Sequence, residues 1–146
     1  MDPLQRQLLD IVDTIKGVSN RVRKLETLPI TPPDVLWCHY DGNAAVMVKP
    51  NRFYNRYTED RHIKEVFISV NTAPTGNTII VDLLLDGLIS MILSANRPTI
   101  QIGQFTGFTT TIEVPVWPVG SYIQVEIIRV GSVIPGANLV VQVMYA

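Results

Sequence analysis

Hydrophobic and polar residues follow two different rhythms along this chain, and the change of rhythm divides it. Up to residue 28, apolar residues stand at Leu4, Leu8, Ile11, Ile15, Val18, Val22 and Leu25, in steps of 4, 3, 4, 3, 4 and 3. That unbroken heptad predicts a helix with a narrow apolar seam, as in a coiled coil. Leu8, Ile15 and Val22 take position a, and Leu4, Ile11, Val18 and Leu25 take position d. Leu9 and Val12 widen the stripe, which is also how a helix docked on its own domain reads. Asp2 ahead of Pro3 suits an N-cap, and Gly17 falls at c, off the seam.

β-Branched residues at both a and d disfavour a two-stranded coil. The closing heptad, Arg21-Val22-Arg23-Lys24-Leu25-Glu26, resembles the trimerisation motif of short three-stranded coiled coils. In that motif an Arg at g pairs with a neighbouring chain's Glu and covers the seam with its stem. Read without it, Arg21 and Glu26 are solvated surface charges. The expectation is a homotrimer held by Leu4, Leu8, Ile11, Ile15, Val18, Arg21, Val22, Leu25 and Glu26. Three prolines within Leu28-Pro29-Ile30-Thr31-Pro32-Pro33 then end the helix in an extended spacer.

From Val35 the rhythm shortens to two. Strands are predicted at 35–40, 44–49, 64–71, 78–85, 88–94, 109–114, 121–130 and 138–145, with turns at Asp41-Gly42, Asp86-Gly87 and Pro135-Gly136. Ile123, Val125 and Ile127 alternate with polar partners and share one face. Eight short strands without crossover helices predict an all-β fold, an antiparallel β-sandwich of jelly-roll type. The organisation expected is 1–28 as an oligomerisation helix, 29–34 as a Pro-rich linker and 35–146 as the sandwich. The runs Ile79–Leu85, Leu88–Leu93 and Leu139–Tyr145 are apolar on both faces. Ile80, Leu84, Ile89 and Met91 are therefore expected to need cover from another copy.

Charge follows the same division. Of 146 residues 17% are charged, distributed as nine in 1–28, two in 29–48, eight in 49–65 and only six in 66–146. An apolar content of 47% with net charge −1 excludes a disordered chain and a strongly basic nucleic-acid binder. Mean hydropathy is +0.22, yet no stretch approaches a membrane span. One cysteine, Cys38, excludes an internal disulfide. The first residues lack the basic and apolar regions of a signal peptide, so synthesis in a reducing cytoplasm is expected.

No catalytic, cofactor or metal site is expected. His39 and His62 have no metal-binding spacing, and Cys38 and His39, adjacent on a strand, face opposite ways. Asp41, Asp82 and Asp86 lack the ligand-dense loop that Ca²⁺ needs. One segment is rich in recognition chemistry: residues 49–62 interleave Arg52, Arg56 and Arg61 with Phe53, Tyr54 and Tyr57. Arginine with aromatics suits a protein interface or a glycan. It would also suit single-stranded nucleic acid, but Glu59, Asp60 and Glu65 offset the cations and no direct nucleic-acid partner is expected. A solvated inter-strand loop is the plainer reading. Trp117, between Pro115 and Pro118, reads as an exposed sugar-stacking residue or as a plug at the end of the sandwich.

Several ordered blocks over residues 64–146 resemble a β-sandwich module of tailed-bacteriophage virion proteins. They are Thr72-Ala73-Pro74-Thr75-Gly76 followed by Val81-Asp82 and Asp86-Gly87, then Asn96-Arg97-Pro98-Thr99-Ile100, then Trp117 to Val125, and Gly131 to Val141. Ser121 departs from the pattern, which more often has an acidic residue there. The resemblance implies a virion structural role and carries no functional residue across. A non-enzymatic, homotrimeric capsid decoration (cement) protein or short head fibre is therefore expected, partnered by the major capsid protein, with no cofactor and no membrane. The alternative is a tail fibre or receptor-binding protein that recognises a host surface glycan.

Overall fold

The computed structural model describes residues 2–26 and 33–146, with the side chains of 17–26 outside the described set. The chain divides into two units, 1–32 and 33–146. In the first, helix α1 spans Pro3–Glu26. Its start is a reciprocal cap: Gln5 N–H donates to Asp2 Oδ1 at 2.8 Å and Asp2 N–H to Gln5 Oε1 at 3.3 Å. Residues 27 and 28 of the expected helix, and 29–32 of the spacer, lie outside the described residues.

The second unit consists of antiparallel strands: β1 (Asp34–Asn43), β2 (Met47–Val48), β3 (Phe53–Tyr54), β4 (Arg61–Ser69), β5 (Ile79–Leu85), β6 (Ile89–Ser90), β7 (Thr99–Ile100), β8 (Thr106–Thr109), β9 (Val116–Trp117), β10 (Tyr122–Arg129) and β11 (Ala137–Tyr145). One sheet has the order β1-β11-β4-β8, with β9 also on β4. The other has the order β2-β10-β5-β6, with β3 on β10 and β7 on β5. Asp34, assigned by sequence to the spacer, already pairs with Tyr145.

The inner faces follow the period of two. Ile123, Val125 and Ile127 of β10 are buried, as are Val66 and Ile68 of β4, Val81 and Leu83 of β5, and Leu139, Val141 and Val143 of β11. Together they form one core between the sheets, worth roughly 1.5–3 kcal/mol for each large side chain withdrawn from water. Asp86 and Gly87, both at positive φ (54° and 70°), form the expected tight turn between β5 and β6, and Leu88 N–H closes it on Leu85 O at 3.1 Å.

Three expectations change. The run 88–94 is not one strand: only Ile89–Ser90 pairs, and the next two residues, Met91 and Ile92, are both buried. Successive residues of a flat strand cannot both face inward. The chain instead turns into the core, where Met91 N–H bonds Leu83 O and Met91 O accepts from Val114 N–H. Met91 is therefore buried within a single chain; Leu84, which stays on β5, is buried too, and neither needs cover from another copy, whereas Ile89 stays exposed. The predicted strand 109–114 lies earlier, at Thr106–Thr109; beyond it Thr111 N–H is taken by the Thr109 hydroxyl. Gly107 permits that placement, because a Cβ there would overlap the Thr99 carbonyl. Finally, 44–49 shortens to Met47–Val48.

Bending the chain after β6 is a polar task. Asp82, 1% exposed, lies on β5 and accepts from Leu83 N–H, from the Ser90 hydroxyl and from Arg97 Nη2, the last at 3.2 Å. Ile92 O lies 2.9 Å from the same hydroxyl. The Val81-Asp82 and Asn96-Arg97 blocks of the sequence thus meet as one ion pair. Arg97→Met should leave this carboxylate buried and uncompensated and destabilise the domain by about 3 kcal/mol, read as a lower urea midpoint. Arg97→Lys, which keeps the charge without the fork, should fall between the two.

Candidate functional site

Strands β1 and β4 start, and β11 ends, at the same end of the sandwich, where the segment 49–62 folds back. An open cleft of about 510 Å³ lies there, lined by Leu36, Arg52, Phe53, Tyr54, Arg56, Tyr57, Trp117 and Tyr145. Five of the expected contact residues, Arg52, Phe53, Tyr54, Arg56 and Tyr57, are thus brought together with Trp117. Arg61 stands behind the wall, its guanidinium 3.9 Å from the centre of the Tyr57 ring.

The segment is pinned rather than loose, and the residue responsible is Asn55. It is 1% exposed, and its Nδ2 donates to Trp117 O at 2.8 Å and to Glu59 O at 3.2 Å. Its Oδ1 accepts from Tyr57 N–H at 3.0 Å, and its backbone bonds Ser121 O and Gly120 N–H. The solvated-loop reading fails at this residue. Sequence reasoning passed over Asn55 because an Asn between arginines reads as surface; Leu36 and Tyr145 were taken only as strand residues.

Trp117 is not exposed. It is buried, 3% exposed, with its ring edge-on to Tyr145 at 5.3 Å. Its indole Nε1 donates to Ser121 O at 3.3 Å, which uses the only polar atom a stacked sugar could have met. Phe53 packs against the core. The rings left open to solvent are Tyr54 and Tyr57. Tyr54 leans on Tyr122 at 5.2 Å, and Arg52 lies over that same ring at 4.8 Å. A hydrogen bond to Tyr54, with the nearby Tyr122, holds the Arg52 guanidinium still more firmly protonated. Among the described residues, Arg52, Arg56 and Arg61 have no carboxylate within ion-pair distance.

At the floor of the cleft the hydroxyls of Tyr57 and Tyr145 meet at 3.0 Å. Burial, then the bond to Tyr57, pushes the Tyr145 phenol up to about 12 from 10.0. The unfolded chain loses this proton near 10.0 while the folded chain keeps it, so stability should fall as pH rises from 10 to about 12. An ultraviolet tyrosinate titration should show late-ionising tyrosine that Tyr145→Phe reduces.

Other titratable groups lie apart from the cleft. Cys38 is buried on β1 and burial raises its pKa, whereas His39 points outward to Asp41 at 3.4 Å. Asp82 is engaged as above, and Asp86 Oδ1 accepts from Tyr122 N–H at 3.1 Å. Among the described residues no group of three or more His, Cys, Asp or Glu gathers as for a metal, and no helix is long and apolar enough to cross a membrane. On α1, Leu4, Leu8, Ile11 and Ile15 of the expected seam are between 59% and 67% exposed. The side chains of Val18, Arg21, Val22, Leu25 and Glu26 lie outside the described residues.

No protein-family model and no curated protein matches the chain. Among solved structures it is similar to one titled "Capsid of Ralstonia phage GP4", at 12% identity and a TM-score of 0.42 over 81% of this chain and 86% of that one. It is also similar to a "Cyanophage Pam1 capsid asymmetric unit", at 11% and 0.36 over 78% and 85%. A serine protease of Aeromonas sobria is similar at 8% and 0.36, over 84% of this chain but 28% of that one.

Asn55→Ala should destabilise the domain by about 2 kcal/mol by orphaning several buried partners. It should also open residues 52–60 to limited proteolysis. Cys38 should resist a disulfide reagent in the folded protein and react fully in denaturant.

Proposed function

We propose that this chain is a non-enzymatic structural protein of a tailed-bacteriophage virion: a homotrimer that decorates the capsid as a cement protein or short head fibre, in contact with the major capsid protein. The observation that carries the reading is the unbroken heptad seam, whose described members lie open to water on α1. An apolar stripe of that width on a capped helix is satisfied by two more copies of itself. Coiled coil, trimer and virion location belong to this proposal together.

The sandwich is read as a jelly roll. If β2 with β3, and β6 with β7, are each counted as one interrupted strand and the two-residue β9 is set aside, the sheets run 1-8-3-6 and 2-7-4-5. Two four-stranded sheets that exchange strands in this order are two interlocked Greek keys. The blocks that resemble phage virion modules are placed to build this frame: Asp82 pairs with Arg97, and Asp86 anchors Tyr122. The scarcity of charge beyond residue 66 also suits a component whose surroundings are other proteins.

A second reading, a tail fibre that recognises a host surface glycan, is favoured by the cleft. Tyr54 and Tyr57 present open rings beside Arg52 and Arg56, the chemistry that stacks and hydrogen-bonds a sugar.

Quantitative mass spectrometry of purified particles separates the two. The first reading expects copies in proportion to the major capsid protein; a handful per particle would sink it. A glycan array should then be blank for wild type, whereas signal lost in Tyr54→Ala would support the second reading. In solution the chain should sediment at three times its 16.3 kDa, and the double variant Ile15→Asn with Val22→Asn should sediment as a monomer.

A further inference from the structure

We infer that the outer face of the β1-β11-β4-β8 sheet is the surface through which the sandwiches of neighbouring copies pack around a threefold axis. The inference rests on the homotrimer proposed above. The register sets three rows across that face. The central one is Trp37, Gln142, Phe67 and Phe108 on four successive strands. Beside it run Val35, Met144 and Glu65 on one side, and His39, Val140, Ser69 and Thr106 on the other. The residues between the rows, such as Cys38, Val141, Val143, Val66 and Ile68, point into the core.

An outward sheet face in water should be polar. On the other sheet the outward positions Asp82, Leu84 and Gln124 are already covered by the chain itself. Here Trp37 is 63% exposed and Phe108 62%, with Phe67 half-buried between them. Glu65 is the only carboxylate in the three rows, and they contain no Lys or Arg. The aromatic residues sit at opposite margins of the face, three strand spacings or about 14 Å apart.

The length of the tether identifies the occupant. Only residues 27–32 separate the last helical residue, Glu26, from Pro33, a reach of at most about 25 Å. Three sandwiches on one seam thus share a local concentration on the order of millimolar. A second copy is the one partner always within reach of this face. Closed threefold symmetry makes each contact heterologous, so different patches meet. The β1 margin of one face then meets the β8 margin of the next, Trp37 against Phe108.

The two tryptophans supply the test, because Trp117 is buried in a single chain and serves as an internal reference. Acrylamide quenching is measured on the full-length protein beside sedimentation. Trp37 should be shielded in the wild-type trimer and several-fold more quenchable in the Ile15→Asn, Val22→Asn monomer, and Trp37→Phe should abolish that difference. Phe108→Asp should expose Trp37 while the mass stays that of a trimer. A wild-type trimer whose Trp37 is quenched as freely as in the monomer overturns this inference alone, and a wild-type monomer overturns the trimer as well.

Discussion

The long strands of the sandwich are held by partners far away in the chain. β1 pairs with β11, β4 with β11 and β8, and β5 with β10, while among the described residues the short β5–β6 turn is the only pairing between consecutive strands. Successive segments change sheets, so the two sheets are built up together, and the inner faces that exclude water form only when both exist. Everything else depends on that mutual closure. Such a topology has a high loop-closure entropy and a late reward, and therefore a slow, cooperative assembly. The tight Asp86-Gly87 turn is the local exception, where the loop to be closed is shortest.

Polar groups do the work that regular pairing leaves undone. Between β6 and β7 the chain must dip inward to bury Met91 and Ile92, and Asp82 with Ser90 and Arg97 replaces the missing ladder bonds. Between β3 and β4 a single amide, Asn55, bonds groups at positions 57, 59 and 117. In both places a short irregular segment is made rigid by a side chain that satisfies several backbone groups at once, which is why the aromatic cleft at that end has fixed walls.

Much of this frame was legible in the sequence for a definite reason. Alternation in 121–130 and 138–145 is a direct image of a buried and an outer face, and Asp-Gly between apolar runs specifies a turn at positive φ. What could not be read was depth. Met91 looks like a surplus outer-face apolar because a one-dimensional pattern does not show the chain leaving its strand. Of the two readings of Trp117, the plug is the one its burial against Tyr145 bears out, though nothing local names that partner. Asn55 was invisible because its partners lie in a distant loop. Conversely, Trp37 was read as an ordinary strand residue and Phe108 fell just outside the predicted strand, and only the register places them on one row.

The position of β11 has a consequence for the order of events during synthesis. It lies between β1 and β4, bonded to both, so the first sheet has no centre until residues 137–145 have left the ribosome. The helical arm emerges more than a hundred residues earlier. The helix is thus finished while the segment that completes the domain is still untranslated. Until then β1 and β4 both lack the strand that joins them. The sparse, apolar composition of the sandwich is thus a hazard for the nascent chain, and co-expression level is the variable to which its yield will be most sensitive.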